Sequence, residues 1–157
     1  MIRIPIRNYS ISKNMNQNGF SLIELLAVIA ILSIVSTIAV ISISKVIQDS
    51  KDRAFVGNAF ALKDAANLFL KSETINGSVP PDVITYQSLY EAGFLDEFKD
   101  PDTGGYPEAS DDSYVEVTGE KITRICLRGE NRNLCTYNGK SSAIPIKEVS
   151  VDLILPN

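Results

Sequence analysis

The sequence predicts an α+β protein. A long N-terminal α-helix, membrane-spanning in its first half and amphipathic in its second, packs on a small antiparallel β-sheet head. Three observations lead there. Residues 20–44 form an apolar run with a single charge, Glu24. Residues 45–73 continue with an apolar stripe at helical spacing and nothing that forces a stop. From Tyr114 onward, short β-branched runs alternate with turn residues.

The averages alone would suggest one ordinary soluble domain: 157 residues, 45% hydrophobic, 22% charged, net charge −4. They also exclude several functions. The acidic balance argues against binding nucleic acid through bulk electrostatics. A chain with no His lacks the commonest general base and the commonest zinc and iron ligand. Two Cys cannot make a four-cysteine metal site. Neither a catalytic Ser–His nor a Cys–His pair is available, so no enzyme is expected, and no cofactor.

The averages hide a strict segregation. Residues 1–19 hold Arg3, Arg7 and Lys13 and no acid. Residues 20–44 hold Glu24 alone, and the remaining chain carries the acidic excess. A basic head, an apolar rod and an acidic body describe a chain set across a membrane.

The rod, Phe20 to Ser44, contains no Gly and no Pro. About 20 apolar residues span a bilayer core, so the run is long enough with some tilt. Ser33, Ser36 and Thr37 can bond back to helix carbonyls and do not veto insertion. The basic flank predicts a cytoplasmic N-terminal end, with the acidic body outside. A cleavable secretory signal has a shorter apolar core, roughly 7 to 15 residues. A plain signal anchor fits the length and the charge asymmetry. Neither explains Glu24. A carboxylate costs roughly 2.5 to 3.5 kcal/mol at the centre of a membrane helix, less near its ends, and is usually kept for a partner.

A cut between Gly19 and Phe20 supplies that partner. It removes the three leader charges and frees an amine on Phe20. A free α-amino group has a reference pKa of about 8, so it is largely cationic near neutrality. Phe20 and Glu24 lie four residues apart, one helical turn, on one face. Amine and carboxylate could neutralise each other within or between chains. In low dielectric an unpaired Glu24 would favour docking beside another chain's Phe20 amine, which sets helix register.

At these residues the sequence resembles type IV pilin precursors. The match is Asn18-Gly-Phe-Ser-Leu-Ile-Glu-Leu-Leu26, followed by about 20 apolar residues, the length of a bilayer span, and preceded by a short basic leader. The resemblance implies that a prepilin peptidase cuts after Gly19 and N-methylates Phe20. It implies that Glu24 guides assembly by meeting a neighbouring subunit's N-terminal amine. It implies a homo-oligomeric helical filament, joined by other pilins, with the apolar helices as its core. A cytoplasmic assembly ATPase and a membrane platform protein would extrude it. One departure stands out. Many pilins carry a Pro where this chain has Ile41, so that helix kink is not expected here.

Four segments follow: a leader at 1–19, a transmembrane and filament-core helix at 20–44, its amphipathic continuation at 45–75, and a head at 76–157. In the continuation, Phe55, Ala59, Leu62, Ala66 and Phe69 form one helix face. Asn76-Gly77 and Pro80-Pro81 end it. Residues 82–99 suggest a short helix with Leu89, Tyr90, Phe94, Leu95 and Phe98 on its apolar side. Strands are expected at Tyr114–Thr118, Ile122–Leu127, Leu134–Tyr137 and within Ile144–Leu155, with Val115 and Val117 on one face.

Cys126 and Cys135 fall on adjacent expected strands. In an exported head they are expected to form a disulfide. The alternative is two reduced, buried thiols. Residues 96–112 hold seven acids, of which Asp100, Asp102, Glu108 and Asp111 fit four positions of a calcium-loop template. Gly104 stands where that template needs a ligand, and Pro107 interrupts it. A solvated acidic loop is therefore the preferred reading.

The expected function is structural: a pilin of a type IV pilus-like surface filament. It passes through the cell membrane as a single-pass precursor, in contact with lipid, before joining the extracellular filament. One alternative is a pseudopilin of a type II secretion or competence DNA-uptake machine. DNA contact would need a basic patch, and Lys121, Arg124, Arg128 and Arg132 are the local candidates. A second alternative is a signal-anchored extracellular binding module that never polymerises.

Overall fold

A computed structural model describes residues 21–157. The chain divides into two compact units between Ser42 and Ile43. Helix α1 covers Leu22–Ile75 and therefore enters both.

In the first unit every described side chain from Ser21 to Val40 is exposed. Leu22, Ile34 and Ile38 are typical, with 82%, 65% and 64% of their surface open. This is the one helix among the described residues long and apolar enough to cross a membrane. Three of its hydroxyls turn inward on the backbone. Ser33 Oγ donates to Ile29 O at 2.7 Å, Thr37 Oγ1 to Ser33 O at 2.9 Å, and Ser42 Oγ to Ile38 O at 3.2 Å. These hydroxyls therefore present little polarity to an apolar surrounding. The helix runs through Ile41, where no Pro interrupts it.

In the second unit α1 packs on an antiparallel sheet. Phe55, Ala59, Leu62 and Ala66 are buried, joined by Ala65 and Leu70, while Phe69 is half-buried at the margin. Ala59 and Ala66 let the helix approach the sheet closely. The large side chains beside them each contribute about 1.5 to 3 kcal/mol by burial. The helix ends in a Schellman arrangement. Gly77 takes φ +78°, its N–H reaches Thr74 O at 3.1 Å, and Ser78 N–H reaches Glu73 O at 3.0 Å. Positive φ is why glycine stands there.

The main sheet runs β1 (Val83–Thr85), β2 (Tyr114–Thr118), β3 (Lys121–Arg128), β4 (Arg132–Leu134) and β8 (Leu155–Pro156). β7 (Ile144–Pro145) shares β3's outer edge with β4: it pairs Arg124 and Ile125, and β4 pairs Leu127 and Arg128. A separate hairpin joins β5 (Thr136–Tyr137) to β6 (Lys140–Ser141). Alternation sorts the faces. Val115, Val117, Ile125 and Leu127 enter the core under α1, with Ile84, Leu89, Leu134 and Ile144. Cys126 points to the opposite face and packs with Cys135 and Ala143.

Three expectations need correction in detail. The segment 82–99 is a strand first and a helix only briefly: α2 covers Tyr86–Glu91. Thr85 and Ser88 form its capping box, and Gly93 at φ +74° terminates it. The expected Leu134–Tyr137 strand breaks at Cys135, between β4 and β5. The Ile144–Leu155 run is interrupted by two single turns of 3-10 helix, Ile146–Glu148 and Val151–Leu153.

Candidate functional site

The residues that carry chemistry fall into three places. Gly19 and Phe20, the expected cleavage pair, lie outside the described residues, as does the leader. The site is therefore seen from Ser21 inward. Ser21 O accepts from Glu24 N at 2.9 Å and Leu25 N at 3.1 Å, which opens α1. The Glu24 carboxylate reaches back to the Ser21 N–H at 3.3 Å. That is the carboxylate half of a capping box, and the Ser-x-x-Glu spacing announces it in the sequence. A carboxylate in a first turn also opposes the positive end of the helix dipole. Glu24 stays exposed beside the backbone that follows Phe20.

The second place is the sulfur pair. Cys126 on β3 and Cys135, just after β4, are disulfide-bonded with Cα atoms 4.5 Å apart. The register explains the proximity. Leu127 faces Leu134, so the next pair outward is 126 and 135. The bond ties the sheet to the base of the β5–β6 hairpin, where Ser142 N–H also donates to Cys135 O at 2.9 Å.

The third place is the acidic loop. Asp96, Glu97, Glu108, Asp111 and Asp112 are exposed, as a solvated loop requires. Asp100 departs from that expectation and is 1% exposed. Its carboxylate accepts backbone N–H bonds from Asp102 at 2.8 Å, Thr103 at 3.2 Å and Glu130 at 3.1 Å. Burial works to raise its pKa. The three N–H donors, with the nearby Arg132 charge, outweigh burial and hold the carboxyl below its ordinary value. Asp102 instead faces a cation. Arg132 Nε and Nη2 grip its two oxygens, and Arg132 Nη1 reaches Asp52 on α1. Lys51 Nζ lies 3.9 Å from Asp102 Oδ1.

Of the four calcium candidates, Asp100 and Asp102 are thus drawn into the head, while Glu108 and Asp111 point to solvent. Among the described residues, no three His, Cys, Asp or Glu side chains are grouped to hold a metal ion. The basic cluster is likewise dispersed. Arg132 is buried, and Arg124 donates to Ala143 O. Lys121 and Arg128 remain exposed. The link of Arg132 to Asp52 and Asp102 crosses 80 and 30 residues of sequence, and no local pattern marks it.

Residues 14–40 match the family model described as the prokaryotic N-terminal methylation motif. This is the prepilin-type motif of type IV pilins and pseudopilins. The motif implies processing by a prepilin peptidase and assembly with other pilin-type subunits. The motif and the apolar helix together fit a membrane-anchored precursor. No curated protein and no solved structure matches the chain.

Proposed function

We propose that the chain is a pilin of a type IV pilus-like surface filament. Cleavage after Gly19 releases a mature chain that begins at Phe20. Residues 20–44 hold it in the membrane and then form the filament core. Residues 45–75 carry the stripe under the head, and 76–157 form the outer surface. The Phe20 amine, N-methylated, pairs with Glu24 of a neighbour. The Cys126–Cys135 bond belongs to a head that matures outside the cytoplasm.

The observation that carries this reading is the pairing of the methylation motif with an α1 whose side chains from Leu22 to Val40 are all open. Contiguous apolar surface on that scale does not persist in water and marks a lipid or protein contact. One carboxylate stands at its start, one turn from the new amine.

The test is N-terminal sequencing of protein sheared from cells. The reading expects N-methylated Phe20 in sheared surface filaments. A processed chain retained at the envelope would move the assignment to a pseudopilin, and an intact leader in vivo would move it to a signal-anchored module. Glu24→Ala adds a second readout. That variant should remain processed and membrane-inserted while filament yield falls at least tenfold, the effect of about 1.4 kcal/mol per docking step. Normal filament yield would remove the pairing from the argument.

A further inference from the structure

We propose that the Arg132 guanidinium is a built-in cation of the acidic loop, taking the place between Asp52 and Asp102 that a divalent ion could otherwise fill. The loop then docks on α1 without metal.

The loop needs a positive charge. Asp102 keeps 12% of its side-chain surface and Asp52 keeps 27%, so both are largely withdrawn from water. Uncompensated carboxylates there would repel each other and lose hydration. Asp100 is served separately, by three backbone N–H groups. Asp52 accepts from Gln48 Nε2 at 2.9 Å, and both Asp52 and Asp102 meet Arg132. The Arg132 side chain is itself 9% exposed and uses three N–H groups on the two acids. Two go as a fork to Asp102, the geometry that favours Arg over Lys. Its Cζ lies over the Phe55 ring, 5.9 Å from the ring centre.

The position of Arg132 fits a strut. It closes the β3–β4 turn, where Gly129 N–H donates to Arg132 O at 2.8 Å. Gly129 is pressed against Asp100 and Phe55, and Asn157 Nδ2 donates to Gly129 O and Glu130 O at 2.7 and 3.0 Å. The cation is therefore delivered by a braced turn into a loop that is also braced: Asp100 N–H to Gly105 O at 2.8 Å and Gly104 N–H to Asp100 O at 2.9 Å. One side chain links α1, the loop and the sheet. Lys51 supplements it from the edge, one-third exposed. Burial lowers the affinity of Arg132 for its proton, but bonds to Asp102 and Asp52 outweigh it and raise the pKa. The charge is thus permanent at any physiological pH, as a structural cation must be.

The experiment uses the full chain in detergent micelles. Melting of the head is followed by near-ultraviolet circular dichroism of its tyrosines, in EDTA and in millimolar CaCl2, with MgCl2 and KCl as ionic controls. Wild type should melt at the same temperature in EDTA and in calcium. Arg132→Gln should melt roughly 10 °C or more lower in EDTA. Calcium should restore a large part of that loss, since Asp52 and Asp102 are then free to share the ion. Arg132→Lys should fall between and respond weakly. A wild-type head stabilised by calcium would overturn the proposal, and so would an Arg132→Gln head indifferent to it. If Arg132→Gln does not fold in EDTA, Arg132→Gln with Asp102→Asn decides. Removing charge on both sides should recover a folded head without calcium response, and failure to recover would also overturn the strut.

Discussion

Replacing Asp100 by Asn tests the buried end of the acidic loop. The two side chains have the same shape, so packing against Gly129 is kept. What changes is the charge and one acceptor. Oδ1 serves Asp102 N–H and Thr103 N–H, and Oδ2 serves Glu130 N–H. An Asn can present its oxygen to only one side. The cheaper orientation keeps the two bonds at Oδ1 and turns an NH2 toward Glu130 N–H, two donors face to face. Hydrogen bonds to a charged group contribute about 1.5 to 3 kcal/mol each, and a buried donor left bare costs about 1 to 3 kcal/mol. Allowing for relaxation, the loss is about 2 to 4 kcal/mol. For a head of this size that lowers the melting temperature by roughly 8 to 16 °C. Asp111→Asn, on an exposed acid of the same loop, should change stability by no more than about 0.5 kcal/mol. The pH dependence has a definite sign. The Asp100 carboxyl is held below its ordinary value in the folded state. Its stabilisation is present above the unfolded pKa of about 4 and is lost as pH falls through the folded value. The gap between wild type and Asp100→Asn should be full at pH 7 and close progressively in acid. A gap that is unchanged between pH 7 and pH 2, or no larger than that of Asp111→Asn, would refute the reasoning.

Gly129→Ala should destabilise the same region by overpacking. A Cβ there would stand 2.7 Å from Asp100 Oδ2 and 2.8 Å from Phe55 Cε2. A cost of about 1 to 3 kcal/mol follows, read as a shift in denaturant midpoint with unchanged m-value. Replacing Cys126 and Cys135 together by Ser should cost about 2 to 3 kcal/mol by loop-closure entropy. The same loss should follow from reductant on wild type, and a wild-type melt insensitive to reductant would contradict the bond's contribution.

What the sequence disclosed follows the range of the interactions involved. The α1 stripe of Phe55, Ala59, Leu62 and Ala66 was readable because it repeats every three or four residues on one element. β2 was readable because Tyr114–Thr118 alternates cleanly. β1 was not: three residues, Val83–Thr85, cannot show a period, and the apolar side chains beyond them favoured a helix. That helix is short because Gly93 takes a left-handed turn, a choice the flanking Leu95 and Phe98 do not reveal. The Ile144–Leu155 run looked like a strand, but Pro145 supplies no ladder N–H and the chain turns into 3-10 geometry. The chemistry divides the same way. Gly19, Phe20 and Glu24 lie within a single short stretch of sequence and announce themselves. On paper Asp102 belongs to a calcium-loop template and Arg132 to a basic cluster; their link to each other and to Asp52 exists only once the fold joins them.

That division has a physical reading for α1 itself. In the proposed filament its first part meets lipid or neighbouring helices, uniformly apolar surroundings, so local sequence specifies it. Any large aliphatic side chain serves, and Leu, Ile and Val alternate without a strict stripe. Direction and register cannot come from such a surface, because sliding by one turn changes the buried area little. A single polar requirement can supply both. In the proposed filament Glu24 is the group whose neutralisation depends on position, since its local bond to Ser21 N–H satisfies part of one oxygen and brings it no cation. The second part of α1 faces the opposite case. Its core face meets a particular sheet, so Ala59 and Ala66 must be small and Leu62 must be large. Specificity there comes from shape, with the Arg132 link to Asp52 adding a charge contact at the edge. The helix thus encodes two recognition problems in series: one solved by a charge in an apolar field, the other by packing.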